Sequence, residues 1–401
     1  MKIVLANHFP LEGSGSGIYT KNLAMELAKR GNEVLVILPD NEEYTHPMFE
    51  TKTIIFSNGM NENCDLNFNF PCFTTHPKSN NTYYELNEEQ IQAYIDAYKM
   101  AFKEVIEEFK PDIIHCQHLW ITPYVASLYD IPYVVTAHGT DLKGFYKDSR
   151  YHKYALEGAK NADKIITISK QVDSEVKKHY KVSDINTKLI LNGFDEDIFR
   201  VKDLNRKDVL ESLNLKKDYK HVVSFVGKLA EFKGVDVLIR SAKIYKNHLE
   251  DVATLIVGNG QLYGPLVNLT KELELEDVYF LGHQNQDIVA DIYNIADVSV
   301  VPSRVEPFGL VAIEALACGT PVVATNQGGL PDFIDDSIGS LVPVDDDIAL
   351  GNAIVKEILN ENKEEKGKKA AQIALDGFSW KRVLDDVVLL YEESIKNHQM
   401  V

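Results

Sequence analysis

An α/β protein of two doubly wound domains in series is what the sequence predicts. Short β-branched runs alternate with helical periodicity, the alternation occurs twice, and a charged stretch from Arg200 to His221 separates the two sets. A length of 401 residues suits two domains, each large enough to bury a core without disulfide or metal staples. Strands alternating with helices imply mainly parallel sheets covered on both faces.

Ile3 to Ala6 is an apolar run, and a Gly/Ser-rich loop follows it through Gly17. Ile18 to Arg30 then has helical spacing stopped by Gly31, and Glu33 to Leu38 is a second apolar run, so the chain opens with a β-loop-α-β unit. A long amphipathic helix over Glu88 to Phe109, strands at Ile113 to Cys116 and Tyr133 to Ala137, a helix over Tyr151 to Ala159 and a strand at Lys164 to Ile168 continue the first set. The second set opens with a strand at Val222 to Val226 and a helix over Val235 to Tyr245. Strands at Thr254 to Val257, Val278 to Leu281, Val298 to Val301 and Pro321 to Ala324 follow. Asn58 to Asn81 is rich in Asn, Thr, Pro and Phe and lacks helical periodicity. It reads as a long surface excursion of the first domain, and both a pocket-shaping role and an uninformative insertion are open to it. Open parallel sheets carry their crevices at the carboxyl ends of their strands, so two of them favour a two-substrate enzyme over a scaffold.

Hydrophobic residues at 45% and charged residues at 25% describe an ordinary soluble globular protein. The net charge of -18, from 42 Lys and Arg against 60 Asp and Glu, repels polyanions and argues against nucleic-acid binding outside a local basic pocket. Ile3 to Ala6 is too short for a signal peptide's apolar core, and no stretch approaches the roughly 18 apolar residues of a spanning helix. The expectation is a cytoplasmic chain whose membrane contact, if any, is peripheral. Cys64, Cys72, Cys116 and Cys318 show no C-x-x-C spacing, so they read as reduced thiols with no metal-cluster role.

The most informative segment runs from Val300 to Ile334. Pro307 and Gly309 precede a strongly helix-forming stretch, Leu310 to Ala317, which Gly319 and Pro321 end. The free backbone N–H groups therefore lie near Gly309 to Val311, an end that can hold a diphosphate. Glu306 lies just before this terminus and Glu314 about one turn inside it. Each has an ordinary reading, a dipole-complementing charge for Glu306 and a solvated helical residue for Glu314. Each also has a functional one, because carboxylates beside an anion site are tolerated when sugar hydroxyls donate to them.

The run Glu-Pro-Phe-Gly-Leu-Val-Ala-Ile-Glu-Ala, with Glu306 and Glu314 as its two acids, resembles the paired-glutamate segment of the nucleotide-sugar-dependent retaining GT-B glycosyltransferases. That large group includes sucrose-phosphate-synthase-like and glycogen-synthase-like enzymes. The resemblance implies two Rossmann-like domains facing across a cleft. Residues 1–199 would be the acceptor-binding domain, joined by a C-terminal helix at 380–397, and residues 206–379 the donor-binding domain. By the same resemblance Glu314 holds the donor ribose, Glu306 faces the donor sugar at its reacting end, and Phe308, Gly309 and Leu310 line the phosphate end.

A second match is Phe225-Val-Gly-Lys-Leu-Ala-Glu-Phe-Lys-Gly, in which Lys228 and Lys233 follow the first strand of the second domain. A cation about 4 Å from a phosphate charge is worth about 4 kcal/mol at an effective dielectric of about 20, enough to assist departure of a nucleoside diphosphate. Either lysine alone also fits an ordinary solvated residue, and the family usually has Arg where Lys228 stands. Gly258-Asn-Gly260 resembles the family's glycine turn beside the donor, Leu281-Gly-His283-Gln-Asn the loop that meets the nucleobase, and Asn192-Gly-Phe-Asp the crossing segment near the hinge.

In the first domain, Gly13-Ser-Gly-Ser-Gly17 competes with a dinucleotide fingerprint, which lacks its third glycine here although Asp40 ends the second run. In the glycosyltransferases this loop approaches donor phosphates and acceptor, and Gly15, Ser16 and Gly17 fit that place. His138, in Thr-Ala-His-Gly-Thr-Asp141, lies on a loop after a strand; it fits a structural histidine from its position, and by resemblance it touches the donor sugar. Thr167 and Ser169 fit turn capping as well as they fit a site.

The resulting expectation is a hexosyltransferase that moves a sugar from a nucleoside-diphosphate sugar, a UDP-sugar, to an acceptor hydroxyl with retained anomeric configuration. Glu306, Lys233 and His138 form its catalytic set. No metal or other cofactor is expected, because Asp195-Glu-Asp197 and Asp345-Asp-Asp347, which match an Asp-x-Asp metal motif, lie away from the Glu306 helix. A nucleotide-sugar hydrolase or epimerase, and a non-catalytic nucleotide-sugar-binding protein, are the alternatives.

Overall fold

The computed structural model describes residues 1–215 and 217–400, which fall into two compact units. The first comprises Met1–Leu191 and the chain from Val383 onward. In it β1 (Lys2–Ala6) leads to α1 (Gly15–Lys29), β2 (Glu33–Asp40) and β3 (Glu50–Ile55). A short pair, β4 (Pro71–Cys72) and β5 (Asn81–Thr82), precedes α2 (Glu88–Phe109). Then come β6 (Ile113–Gln117), α3 (Thr122–Ala126), β7 (Tyr133–Ala137), α4 (Thr140–Lys147), α5 (His152–Asn161), β8 (Lys164–Thr167), α6 (Lys170–Tyr180) and β9 (Thr187–Leu189).

The main sheet has the order β3-β2-β1-β6-β7-β8-β9, and every pairing in it is parallel. Every residue of β6 and β7 is buried, as a parallel sheet covered on both faces requires. α2 starts where the Asn87 side chain accepts from Gln90 N and the Gln90 side chain accepts from Asn87 N. Its buried stripe of Ile91, Tyr94, Ile95, Tyr98, Phe102, Val105 and Phe109 repeats at helical spacing.

The second unit, Asn192–Arg382, begins before the expected boundary at residues 199–206. The reason lies in its local pairing: Phe194 N donates to Phe378 O at 3.0 Å, Trp380 N donates back to Phe194 O at 3.2 Å, and buried Phe199 packs its ring against Tyr293. The elements are α7 (Arg206–Ser212), β10 (His221–Val226), α8 (Val235–His248), β11 (Val252–Val257), α9 (Tyr263–Glu272), β12 (Val278–Gly282), α10 (Gln286–Ile295) and β13 (Val298–Val301). They continue with α11 (Leu310–Ala317), β14 (Val322–Thr325), β15 (Gly339–Val342), α12 (Asp347–Ile358), α13 (Lys363–Phe378) and α14 (Trp380–Gln399), whose residues from Val383 count with the first unit. The all-parallel order is β12-β11-β10-β13-β14-β15. Val223, Phe225, Leu238, Ile256, Val300 and Ile354 belong to one buried cluster between this sheet and its helices.

Strand order reverses between β1 and β6 in the first unit and between β10 and β13 in the second. Such switch points are where open α/β sheets leave a crevice beyond the carboxyl ends of their strands. Among the described residues no helix is long and apolar enough to cross a membrane.

Candidate functional site

At the switch point of the second unit, the segments following β10 and β13 meet. β10 runs into Gly227, Lys228 and a short turn, Glu231–Lys233, before α8; β13 runs into Pro302 to Gly309 before α11. Lys233 and Glu306, 73 positions apart in the chain, form an ion pair with Nζ 2.6 Å from Oε2. Ser303 Oγ donates to the same Oε2 at 3.0 Å, and Ser303 O in turn accepts from Thr325 Oγ1 at 2.6 Å. Both bonds to the buried Glu306 carboxylate fall on one oxygen, Oε2.

The backbone of Glu306 is braced from behind, where Gly329 N donates to Glu306 O at 3.1 Å. Gly328 has φ +61, and a Cβ there would lie 1.7 Å from Glu306 O, so a glycine is required for this turn to back the loop. Gly309 caps α11 with φ +103, and a Cβ on it would sit 2.5 Å from Leu330 Cδ2. Its carbonyl accepts from Ala312 N and Ile313 N, the bonds that begin α11. Phe308 is buried with its ring against Phe333 and Phe378, so only its backbone borders this end, while Leu310 is half-buried.

Glu314 lies on α11 with 8% of its surface exposed, and burial pushes its carboxyl up to about 8. It is therefore not the solvated helical glutamate that spacing alone allows. Tyr293 is pushed up by burial and then by Glu314, and its hydroxyl has no hydrogen-bond partner among the described residues. A buried carboxyl near an orphaned hydroxyl is suited to a ligand that brings its own hydroxyls.

Lys228, Gly258 and Gly260 lie on adjoining backbone: Gly227 N donates to Val257 O at 3.0 Å and Leu229 N to Asn259 O at 2.9 Å. Gly258 N donates to Gly282 O at 2.8 Å, next to His283, whose side chain is exposed in the loop after β12. These residues line the crevice edge formed by β10, β11 and β12.

In the first unit Gly15, Ser16 and Gly17 are the first turn of α1 and not a loop. Ser14 Oγ accepts from Gly17 N at 3.0 Å and so starts the helix inside the glycine-rich stretch. The dinucleotide reading loses its acid as well: Asp40 is buried and takes both Lys78 Nζ contacts, at 2.9 and 3.1 Å, together with Asn41 N.

His138 follows β7, with Gly139 capping α4, so Thr140 and Asp141 are helical. Nε2 of His138 lies 2.8 Å from Gln117 Oε1, and burial lowers its imidazole to about 3, which makes it a neutral hydrogen-bonding group. Asp141 accepts from Leu119 N at 2.8 Å, tying the loop after β6 to the start of α4. Thr167 Oγ1 donates to Asp173, and Ser169 accepts from Val172 N at the start of α6, so Ser169 is a cap.

Both Asp-x-Asp stretches are engaged locally. Asp195 accepts from Asp197 N and Ile198 N, Glu196 accepts from Trp380 N, Asp345 pairs with Arg304, and Asp346 caps α12. Among the described residues no group of three His, Cys, Asp or Glu side chains is arranged to hold a metal. The sequence reading passed over Arg304 and Ser303, inside a segment it singled out, and over His118, whose two ring nitrogens are buried without a partner among the described residues.

The family described as Glycosyl transferases group 1 matches residues 205–373, and that described as Glycosyltransferase Family 4 matches residues 13–198. An uncharacterized glycosyltransferase of Methanocaldococcus jannaschii is 30% identical over 400 residues, covering 94% of each chain. The N-acetyl-alpha-D-glucosaminyl L-malate synthase of Bacillus anthracis is 26% identical, over 96% of this chain and 95% of its own. Among solved structures, sucrose-phosphate synthase from Thermosynechococcus elongatus superposes with a TM-score of 0.75 at 24% identity, over 98% of this chain and 99% of that one. Anabaena HepE in complex with UDP and glucose superposes at 0.73 with 20% identity, over 97% and 98%. With relatives of this extent along its whole length, the chain belongs to the group 1 glycosyltransferases, transferase enzymes of the GT-B fold.

Proposed function

We propose that this enzyme transfers a hexosyl unit from a nucleoside-diphosphate sugar, a UDP-sugar, to an acceptor hydroxyl with retained configuration and without a metal ion. The observation that carries the reading is the convergence, at one switch point, of the Lys233–Glu306 pair, the start of α11 and the buried carboxyl of Glu314. The N–H groups of α11 and the Lys233 ammonium supply the positive potential that a diphosphate needs, which is the task a divalent cation would otherwise perform. Glu314 takes hydroxyl donors from the ribose. Glu306, held by Lys233 and Ser303 on one oxygen, offers the other to the sugar and stabilises charge developing at the anomeric carbon.

In this scheme the bond from the anomeric carbon to the diphosphate oxygen breaks as the bond to the acceptor oxygen forms on the same face. The acceptor proton passes to the departing diphosphate oxygen. The first unit, with the turn from Gly15 to Gly17 and neutral His138 beyond its strand ends, is assigned the acceptor. Solved neighbours bound to UDP and to UDP-glucose support the choice of donor base.

The test is product analysis with UDP-glucose, UDP-galactose and UDP-N-acetylglucosamine against an acceptor panel, reading the anomeric configuration by NMR, with and without chelator. An α-linked product formed at an unchanged rate in chelator is expected. Release of free sugar in place of a glycoside, an inverted linkage, or turnover abolished by chelator would each overturn the corresponding part of the reading.

A further inference from the structure

The two segments that carry Lys233 and Glu306 are held together by a side chain outside the pair. Arg304, two residues before Glu306, places Nη1 2.9 Å from Asp236 Oδ1 and Nη2 2.8 Å from Asp236 Oδ2, a two-pronged contact with the first turn of α8. Nη1 also donates to Glu231 O at 2.6 Å, and Nε donates to Asp345 Oδ1 at 2.6 Å. The backbone adds two more ties, since Arg304 N and Val305 N both donate to Phe232 O, at 2.8 and 3.2 Å. Asp236 is shared with Arg240, and Asp345, in the loop after β15, holds φ +60, a left-handed conformation unusual for a residue with a side chain.

We propose that Arg304 is a positioning residue that fixes the Lys233–Glu306 pair in register with the start of α11. The claim rests on the reading of that pair as the phosphate and sugar end of the donor site. One guanidinium bridges the stretch 231–236, which carries Lys233, to the stretch 303–306, which carries Glu306, and braces both on Asp345. A flexible lysine side chain would otherwise find its carboxylate in several geometries, whereas a planar fork pinned at three points leaves the two loops one arrangement. Lysine at 304 keeps the charge and cannot make the fork.

UDP is the probe, titrated calorimetrically into the full-length chain. Arg304→Ala is expected to weaken UDP binding about tenfold, the scale of one charged hydrogen bond, while Arg304→Lys recovers only part of that. The effect should depend on Lys233: in a Lys233→Ala background the further change Arg304→Ala should cost less than about twofold, because coupled residues do not add. A merely structural arginine would lower the melting temperature and the fraction of competent protein, and would leave the affinity of the folded molecules alone.

UDP affinity within about twofold of wild type in Arg304→Ala, or losses that multiply in the double variant, would overturn the proposal. Should Arg304→Ala fail to fold, Asp345→Gly removes the side chain that Arg304 Nε donates to while allowing the left-handed backbone there; weaker UDP binding whose loss disappears in the Lys233→Ala background supports the proposal, and unchanged binding overturns it. Wild-type UDP affinity in Lys233→Ala alone is a different failure, which removes the donor-site reading itself.

Discussion

Glu314 should give the molecule an alkaline weakness that its ligand cures. Burial holds its proton until about pH 8, whereas in the unfolded chain the same carboxyl ionises near the ordinary glutamate value of 4.5. A carboxyl raised on folding contributes stability that is complete below the unfolded value and drains away as pH rises toward the folded one. Across that interval the cost of retaining Glu314 reaches on the order of 3 kcal/mol at pH 7. Glu314→Gln abolishes the titration and leaves only a pH-independent offset.

Urea unfolding of the two proteins at several pH values should therefore show a stability gap that shifts in favour of Glu314→Gln by about 1.4 kcal/mol per pH unit between about pH 5 and 8, then levels off. The same variant should bind UDP more weakly, so stability and ligand binding move in opposite directions. On the proposed placement of the ribose, its hydroxyls donate to the carboxylate and restore the charged form, so at pH 7 UDP binding should release close to one proton to the buffer. Calorimetry in two buffers of different ionisation enthalpy reads that proton directly. A stability gap that stays flat with pH refutes the burial argument, and UDP binding without proton release refutes the placement of ribose on Glu314.

Lys366→Ala strands Glu357, which is fully buried and 2.8 Å from the Lys366 ammonium, and should cost about 3 to 5 kcal/mol; an unchanged melting temperature would contradict this, and UDP affinity of the folded variant should match wild type. The first unit should be acid-labile, because burial lowers His8, His115 and His138 to about 3 and His118 well below its ordinary range. Their contribution is complete above the ordinary histidine range and is lost as pH falls toward 3, at about 2 kcal/mol for each by pH 5, so amides of β6 and β7 should lose hydrogen-exchange protection there before those of β10 and β13. Equal loss in the two sheets would count against it. Gly328→Ala drives a Cβ into the Glu306 carbonyl and should cost about 1 to 3 kcal/mol along with UDP affinity, measured by unfolding and calorimetry, with normal UDP binding as the contrary result.

What the sequence discloses depends on how local the cause is. α2 is readable to the residue because its capping box and its buried stripe are both written within one stretch of chain. The buried strands β6, β7, β10 and β13 announce themselves as apolar runs for the same reason. β3 and β9 escape notice as edge strands, with one face and one side in solvent, so their residues are mixed and no run forms. α6 escapes because charged residues surround its few apolar ones, α9 because Gly264 and Pro265 in its first turn read as a loop, and α1 is read as starting late because glycines suggest a loop while Ser14 starts a helix through them. The site divides along the same line. The cap at Gly309 and the two acids around it belong to one segment and can be found by eye, whereas the ion pair of Lys233 with Glu306 and the brace by Arg304 join residues about 70 positions apart and exist only once β10 and β13 lie side by side.

The chemistry of the first unit bears on how the acceptor loses its proton. A general base for a hydroxyl works best with a pKa near the operating pH. The histidines beyond the ends of β1, β6 and β7 are far from that range, because each is buried among aromatic rings: His8 against Tyr94, His118 against Phe9, Phe73 and His138, and His138 against Tyr19. An imidazole lowered to about 3 holds a proton too weakly to compete for one from an alcohol, although it still donates or accepts a hydrogen bond. Asp141, pushed up to about 6, would be the better base, but its oxygens are committed to Leu119 N and Leu142 N. In the proposed scheme the departing diphosphate gains basicity as its bond to the sugar breaks, and it lies on the face where a retained product requires the acceptor. The burial that makes these histidines poor bases thus agrees with the proposed scheme, in which the proton goes to the leaving group and the first unit orients the acceptor.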